Sequence, residues 1–190
     1  MNEDYVFDAV RRGYGNLTDA SNAEIVDYFH SLKAESLGGH LSNIKGIVFE
    51  EAYVDNLNAN GIDAYLFNET NHPLTDIFVY GDEVEEFQLK ATDSVSYIND
   101  TLESLDDTSI VVTSEVAEHF DNAQIIDSGI SNEELTDSVT STLFEGTDLA
   151  ADTASDIASD AAADSVLDGL SPIPITPIGI LFGLATGLFF

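Results

Sequence analysis

The sequence predicts an α/β fold, on three observations. Apolar residues at helical and at strand spacing alternate along residues 43–145 in the order helix, three strands, helix, strand, helix. Two stretches carry the Ser-x-x-Glu pattern of a reciprocal helix cap, Ser21 to Glu24 and Ser131 to Glu134. The 190 residues are 44% apolar and include 11 phenylalanines and 7 tyrosines, enough to bury one core of ordinary size and leave an appendage.

Residues 1–42 read as an N-terminal helical segment. Asp4 to Arg12 makes one helix, the Ser21 cap opens a second that runs to about Lys33, and Gly38-Gly39 end the unit. Residues 43–145 hold the α/β domain. Its first helix places Ile44, Ile47, Val48, Val54 and Leu57 on one face and stops at Asn60-Gly61. IDAYLF (62–67) is a short strand, followed by the turn formers NETNHPLT (68–75). DIFVY (76–80) and VEEFQLKA (84–91) read as a hairpin about a tight turn at Gly81. Thr92 or Asp93 caps a helix through Tyr97 and Leu102 to about Leu105, and SIVVTSEV (109–116) is apolar enough for a buried strand. The Ser131 cap opens a closing helix that runs to about Phe144.

Charge narrows the function classes. The chain has 36 acidic and 5 basic residues, a formal charge of -31. In dilute buffer that charge repels both the compact state and nucleic acid. A solvating, disordered acidic chain is one reading. The apolar and aromatic content favours the other, a protein of a halophilic host working in molar salt, where the Debye length shrinks to about 3 Å. There is no cysteine, which leaves the compartment open. MNEDYVFDAVRRG places acids before its arginines and contains no long apolar run, so it does not read as a signal peptide.

Lys90 is the last basic residue of the chain. On a strand, Gln88 and Lys90 project from one face while Phe87, Leu89 and Ala91 project from the other. Asp76 begins the partner strand and reaches the same surface if the hairpin pairs about Gly81. Glu50 falls between Ile47 and Val54, on the inward side of its helix, where a carboxylate needs a partner. An acid, an amide oxygen and a lysine on one patch make a magnesium site with a water beside it: oxygen ligands hold the hard cation, and the ammonium favours hydroxide formation. A solvent-facing strand lysine is the plainer reading of Lys90, because an acid-or-Gln-x-Lys triplet alone carries little weight. His30, His40, His72 and His119 are scattered and form no metal pattern; His72, near Asp76, reads as a turn residue.

The run Gly46-x-x-Phe49-Glu50, then Asp76 on the second strand and Gln88-x-Lys90 on the third, in αβββαβ order, resembles the PD-(D/E)xK nuclease superfamily, the restriction-endonuclease-like fold. KGIVFE is similar to the first helix of archaeal Holliday-junction resolvases within it, and the resemblance covers residues 44–116. It implies a Mg²⁺-dependent nuclease hydrolysing phosphodiester bonds in DNA. By carry-over Asp76 bridges the metals, Gln88 stands where a Glu or Asp usually ligates, Lys90 orients or polarises the attacking water, and Glu50 is the accessory carboxylate. Gln88 is the departure: members with QxK remain nucleases, yet a neutral amide holds metal less well, and Glu86 on the same face is available to supply the missing charge. The competing expectation is a non-catalytic structural or interaction protein, a virion or membrane-complex component that keeps the nuclease-like fold. Arg11, Arg12, Lys33, Lys45 and Lys90 all lie in the first half of the chain. In molar salt counterion release contributes little, so metal ions and hydrogen bonds must carry recognition.

Residues 146–170 form an Ala/Asp-rich helix in this reading, with aspartates at 148, 152, 156, 160, 164 and 168 in a drifting stripe that reads as a solvated face rather than a calcium site. Residues 171–190 are a hydrophobic Pro/Gly tail with Gly179, Gly183 and Gly187 at every fourth place. Its helical part after Pro177 spans about 20 Å, short of the roughly 30 Å of a bilayer core. The tail is therefore expected to seek a membrane surface, a homo-oligomer or another protein partner. That places the chain on the cytoplasmic side of its host, membrane-associated or in a virus particle.

Overall fold

The computed structural model describes residues 1–67, 75–81, 83–105 and 107–151. The strand-spaced runs assemble a five-stranded mixed sheet of order β1-β2-β3-β4-β5. β1 (Asp63–Leu66), β2 (Ile77–Tyr80) and β3 (Val84–Lys90) form an antiparallel meander, with Leu66 opposite Ile77 and Tyr80 opposite Val84. A parallel neighbour needs a crossover. Helix α4 (Val95–Ser104) supplies it between β3 and β4 (Ser109–Val112), and the single turn α5 (Ser114–Ala117) precedes β5 (Ile125–Asp127). The protein is thus a mixed α/β structure.

Alternation along the strands sends two sets of side chains to two cores. Ala64, Ile77, Leu89 and Val111 join the larger cluster under α3 (Ala34–Ala59), whose Leu37, Leu41, Ile44, Ile47, Val48 and Phe49 are buried. Ile110 and Val112, from the opposite face, pack with Ile98 of α4 and with Val116. Asn60 and Gly61 end α3 as the sequence requires, Gly61 taking φ +80°.

The N-terminal segment is not an appendage. The boundary expected at residues 42/43 falls inside α3, a single helix of 26 residues, and Gly38-Gly39 do not interrupt it. Each glycine costs about 1 kcal/mol against alanine in a helix, and the buried Leu37 and Leu41 that flank them override that cost. Helices α1 (Glu3–Gly13) and α2 (Asn22–His30) contribute Val6, Val10, Ile25 and Phe29 to the larger core. Phe29 meets Phe144 edge-on at 5.5 Å, joining that segment to the far end of the fold, where α6 (Asn132–Val139) runs into a π-helical turn, Thr140–Phe144.

Other local expectations shift by identifiable causes. Ser94, not Thr92 or Asp93, caps α4, while the Thr92 hydroxyl accepts from the Ser94 N–H just upstream. The strand expected over 109–116 stops at Val112, because Thr113 and Ser114 begin α5. The Ser21–Glu24 cap forms reciprocally. At α6 only half of the expected box forms: Ser131 accepts from the Glu134 N–H, but the Glu134 carboxylate pairs with the N-terminal ammonium at 3.1 Å. Glu115 takes its place, accepting from the Asn132 and Glu133 N–H groups and from the Ser131 hydroxyl. Of the Asp-striped helix only the first turn, α7 (Asp148–Ala151), is described; the rest of it and the tail 171–190 lie outside the described residues. Among the described residues no helix is long and apolar enough to cross a membrane.

Truncating Phe29 to alanine is expected to destabilise the whole chain by about 3–5 kcal/mol in one denaturant transition; a separate early transition would mark the N-terminal helices as an independent unit. Burial alone raises the Glu115 carboxyl, but its hydrogen bonds to Asn132, Ser131 and Glu133 outweigh burial and hold it below the usual value of 4.5. Glu115→Ala should cost about 1 kcal/mol. Because the folded value is depressed, the contribution is present above about 4.5 and lost as pH falls through the lower folded value. Wild type and variant should therefore converge in stability in acid.

Candidate functional site

Asp76 lies at the point where β2 begins, and its backbone is held from both sides. Its carbonyl accepts from the Phe67 N–H at 3.3 Å and its N–H donates to the Phe87 carbonyl at 2.9 Å. The side chain turns toward β3, where Oδ2 accepts from the Gln88 amide at 2.6 Å and from the Leu89 N–H at 2.7 Å. Gln88 and Lys90 share a face of β3, and Lys90 Nζ sits 5.4 Å from the centre of the Tyr97 ring of α4. A cation over an aromatic face is attracted by the ring.

Glu50 enters from α3 with its side chain 13% exposed, and Arg12 of α1 meets it there. Arg12 Nη1 lies 3.0 Å from Glu50 Oε2 and 3.9 Å from Glu51 Oε1, and Nη2 donates to the Phe67 carbonyl at 3.3 Å. Of the two adjacent glutamates, Glu50 feels the charges of Asp76 and Glu51, whereas Arg12, Asp8 and Asp55 act on Glu51.

The electrostatics describe one crowded cluster. Burial pushes the Glu50 carboxyl up to about 8, and the Asp76 charge adds to that while Arg12 opposes it. Burial likewise raises Glu51 to about 7, against the pull of Arg12. Asp76 is raised by burial, opposed by the Leu89 N–H, by the Lys90 and Arg12 charges and by the Gln88 amide. Asp76 is thus bonded to Gln88, the Lys90 and Arg12 charges favour its ionised form, and its charge is felt by Glu50.

Glu86, the suggested substitute for the missing acid, is exposed and accepts from the Thr75 hydroxyl at 2.9 Å. His72 lies outside the described residues. His40 is partly buried, its Nδ1 hydrogen-bonded to the Tyr14 hydroxyl at 2.8 Å. Sequence reasoning missed Arg12. Its one sequence signal was scarcity, which it shares with the other four basic side chains and which does not say where each will lie.

Among the described residues no three His, Cys, Asp or Glu side chains are grouped to hold a metal ion. The carboxylates of Asp76 and Glu50 and the Gln88 carboxamide are oxygen donors of the kind suited to a hard cation such as Mg²⁺. No protein-family model, no curated protein and no solved structure matches the chain.

Because Glu50 and Glu51 are raised above their unfolded values, their contribution to stability is complete below about 4.5 and lost as pH rises through about 7 and about 8. The melting temperature in chelator should fall across that window, and Glu50→Gln should flatten most of the fall. An unchanged slope in the variant would place the titration elsewhere.

Proposed function

We propose that this chain is a metal-dependent nuclease hydrolysing phosphodiester bonds in DNA, built on the restriction-endonuclease-like plan. The observation that carries the reading is the contact of Gln88 with Asp76, with the Lys90 charge acting on that carboxylate and its charge in turn raising Glu50. The order of α3, β1, β2, β3, α4 and β4, with an antiparallel meander followed by a parallel crossover, is the αβββαβ arrangement the resemblance implies.

The donor set fits a hard divalent cation: Asp76 and Glu50 offer carboxylate oxygens, and Gln88 can offer its carbonyl once its amide donates to Asp76. When bound there, Mg²⁺ would supply Lewis-acid polarisation of the phosphodiester. Asp76 is positioned by two donors from β3, which fixes the direction of its lone pairs. Lys90, steadied against Tyr97, projects from the same face as Gln88 and can orient an attacking water and offset charge that develops on the phosphate. Arg12 keeps Glu50 oriented and offsets part of the local negative charge.

One observation favours the competing reading, a non-catalytic binding or structural protein. Asp76 already accepts two hydrogen bonds and Glu50 is already paired with Arg12, so the cluster is largely satisfied internally. Full-length protein in molar KCl with Mg²⁺ should cut DNA, chelator should abolish cutting, and Asp76→Asn and Lys90→Ala should each reduce the rate by about 10²-fold or more. Equal rates in wild type and both variants, or no cutting by any of the three, would favour the non-catalytic reading.

A further inference from the structure

Strand register aligns a row of aromatic rings with the candidate site. Tyr65 stands opposite Phe78, Phe78 opposite Glu86, and Tyr80 opposite Val84. Directly paired residues share a sheet face, so these rings lie on the face of β3 that carries Glu86, Gln88 and Lys90. Tyr65 and Phe78 stack with centroids 5.5 Å apart and planes at 20°, and Tyr80 meets them edge-on at 5.7 and 5.6 Å. Helix α4 packs over the β4 part of this face. On the hairpin part Tyr65 and Tyr80 are each 50% exposed and Val84 56%.

The placement of the cations adds an independent constraint. Of the five Lys and Arg side chains only Lys33 is exposed; Lys45 is 3% exposed, and Arg11, Arg12 and Lys90 are partly buried. The surface therefore offers no basic track for phosphates, and Asp63 and Glu86 border the rings with negative charge. Affinity for a polynucleotide has to come from an uncharged contact. Stacking of bases on aromatic side chains is such a contact and tolerates any base sequence. The bases of a duplex are already stacked on one another, whereas those of a single strand can be laid on protein rings.

We propose that Tyr65, Phe78 and Tyr80 form a stacking platform for unpaired bases, which makes single-stranded DNA the substrate class of the site at Asp76. This rests on the nuclease reading of that site. Strands lie about 4.8 Å apart and alternate residues along a strand about 7 Å apart, so the rings begin within roughly two nucleotide lengths of Gln88. A strand with its bases on the platform turns its phosphates away from Asp63 and Glu86 and leads its backbone toward Lys90.

The test measures binding of the full-length protein in molar KCl with chelator present, by anisotropy of a labelled oligothymidine and of a duplex of equal length. The single strand should bind more tightly than the duplex, with little dependence on salt. Tyr65→Ala and Tyr80→Ala should each weaken single-strand binding about tenfold, and Tyr65→Phe should retain it. Equal affinity for duplex and single strand, no measurable binding, or indifference to both alanine variants would overturn the proposal. So would a loss of self-association in the tyrosine variants without a change in DNA binding, since the face would then be a contact between copies of the chain. Cleavage assays separate this from the nuclease reading. Asp76-dependent cutting that ignores the tyrosines removes the platform alone, whereas tyrosine-dependent binding with no Asp76-dependent cutting keeps the platform and removes the nuclease.

Discussion

The Asp76 carboxylate is partly buried between two strands, and the two donors that hold it both come from β3. An ionised carboxylate left unpaired in such a place costs several kcal/mol. Its stability therefore depends on β2 and β3 keeping the register that sets Ile77 opposite Phe87. A slip of one residue would turn Gln88 and Lys90 under α3 and bring Phe87 and Leu89 into water. The core contacts of Leu89 and Ile77 and the polar contacts of Asp76 thus enforce the same alignment from opposite faces of the sheet.

All of the protein's few cations except Lys33 are at least partly buried. Arg12 pairs with Glu50, Lys90 rests on Tyr97, Arg11 binds Asp8 and the Ala20 carbonyl, and Lys45 is buried. Solvent meets an almost wholly anionic surface. In molar salt such a surface is screened within a few ångströms, while part-buried pairs such as Arg12 and Glu50 are screened much less.

Much of this was legible in the chain itself, because hydrophobic spacing reports faces. The spacing of Ile47, Glu50 and Val54 placed Glu50 inward, and the alternation of Phe87, Gln88, Leu89 and Lys90 separated core from site. What the sequence could not show was mostly competition between signals. Gly38-Gly39 read as a stop because backbone entropy is local, while the burial of Leu37 and Leu41 is set by distant elements. Glu134 read as a cap partner, but Glu115, sixteen residues before Ser131, reached the donors first. β5 is three residues long, too short for alternation to register. Arg12 was invisible as a site residue because nothing local says which strand end will lie against α1.

The cluster draws Arg12 from the first helix, Glu50 from the third, and Asp76, Gln88 and Lys90 from two strands of the sheet. During synthesis the guanidinium leaves the ribosome long before the strand that completes its surroundings. A partly made chain consequently presents Glu50 and Asp76 as ordinary hydrated acids, with neither the crowding nor the seclusion of the finished protein. The arrangement of the five side chains therefore exists only once the sheet has closed.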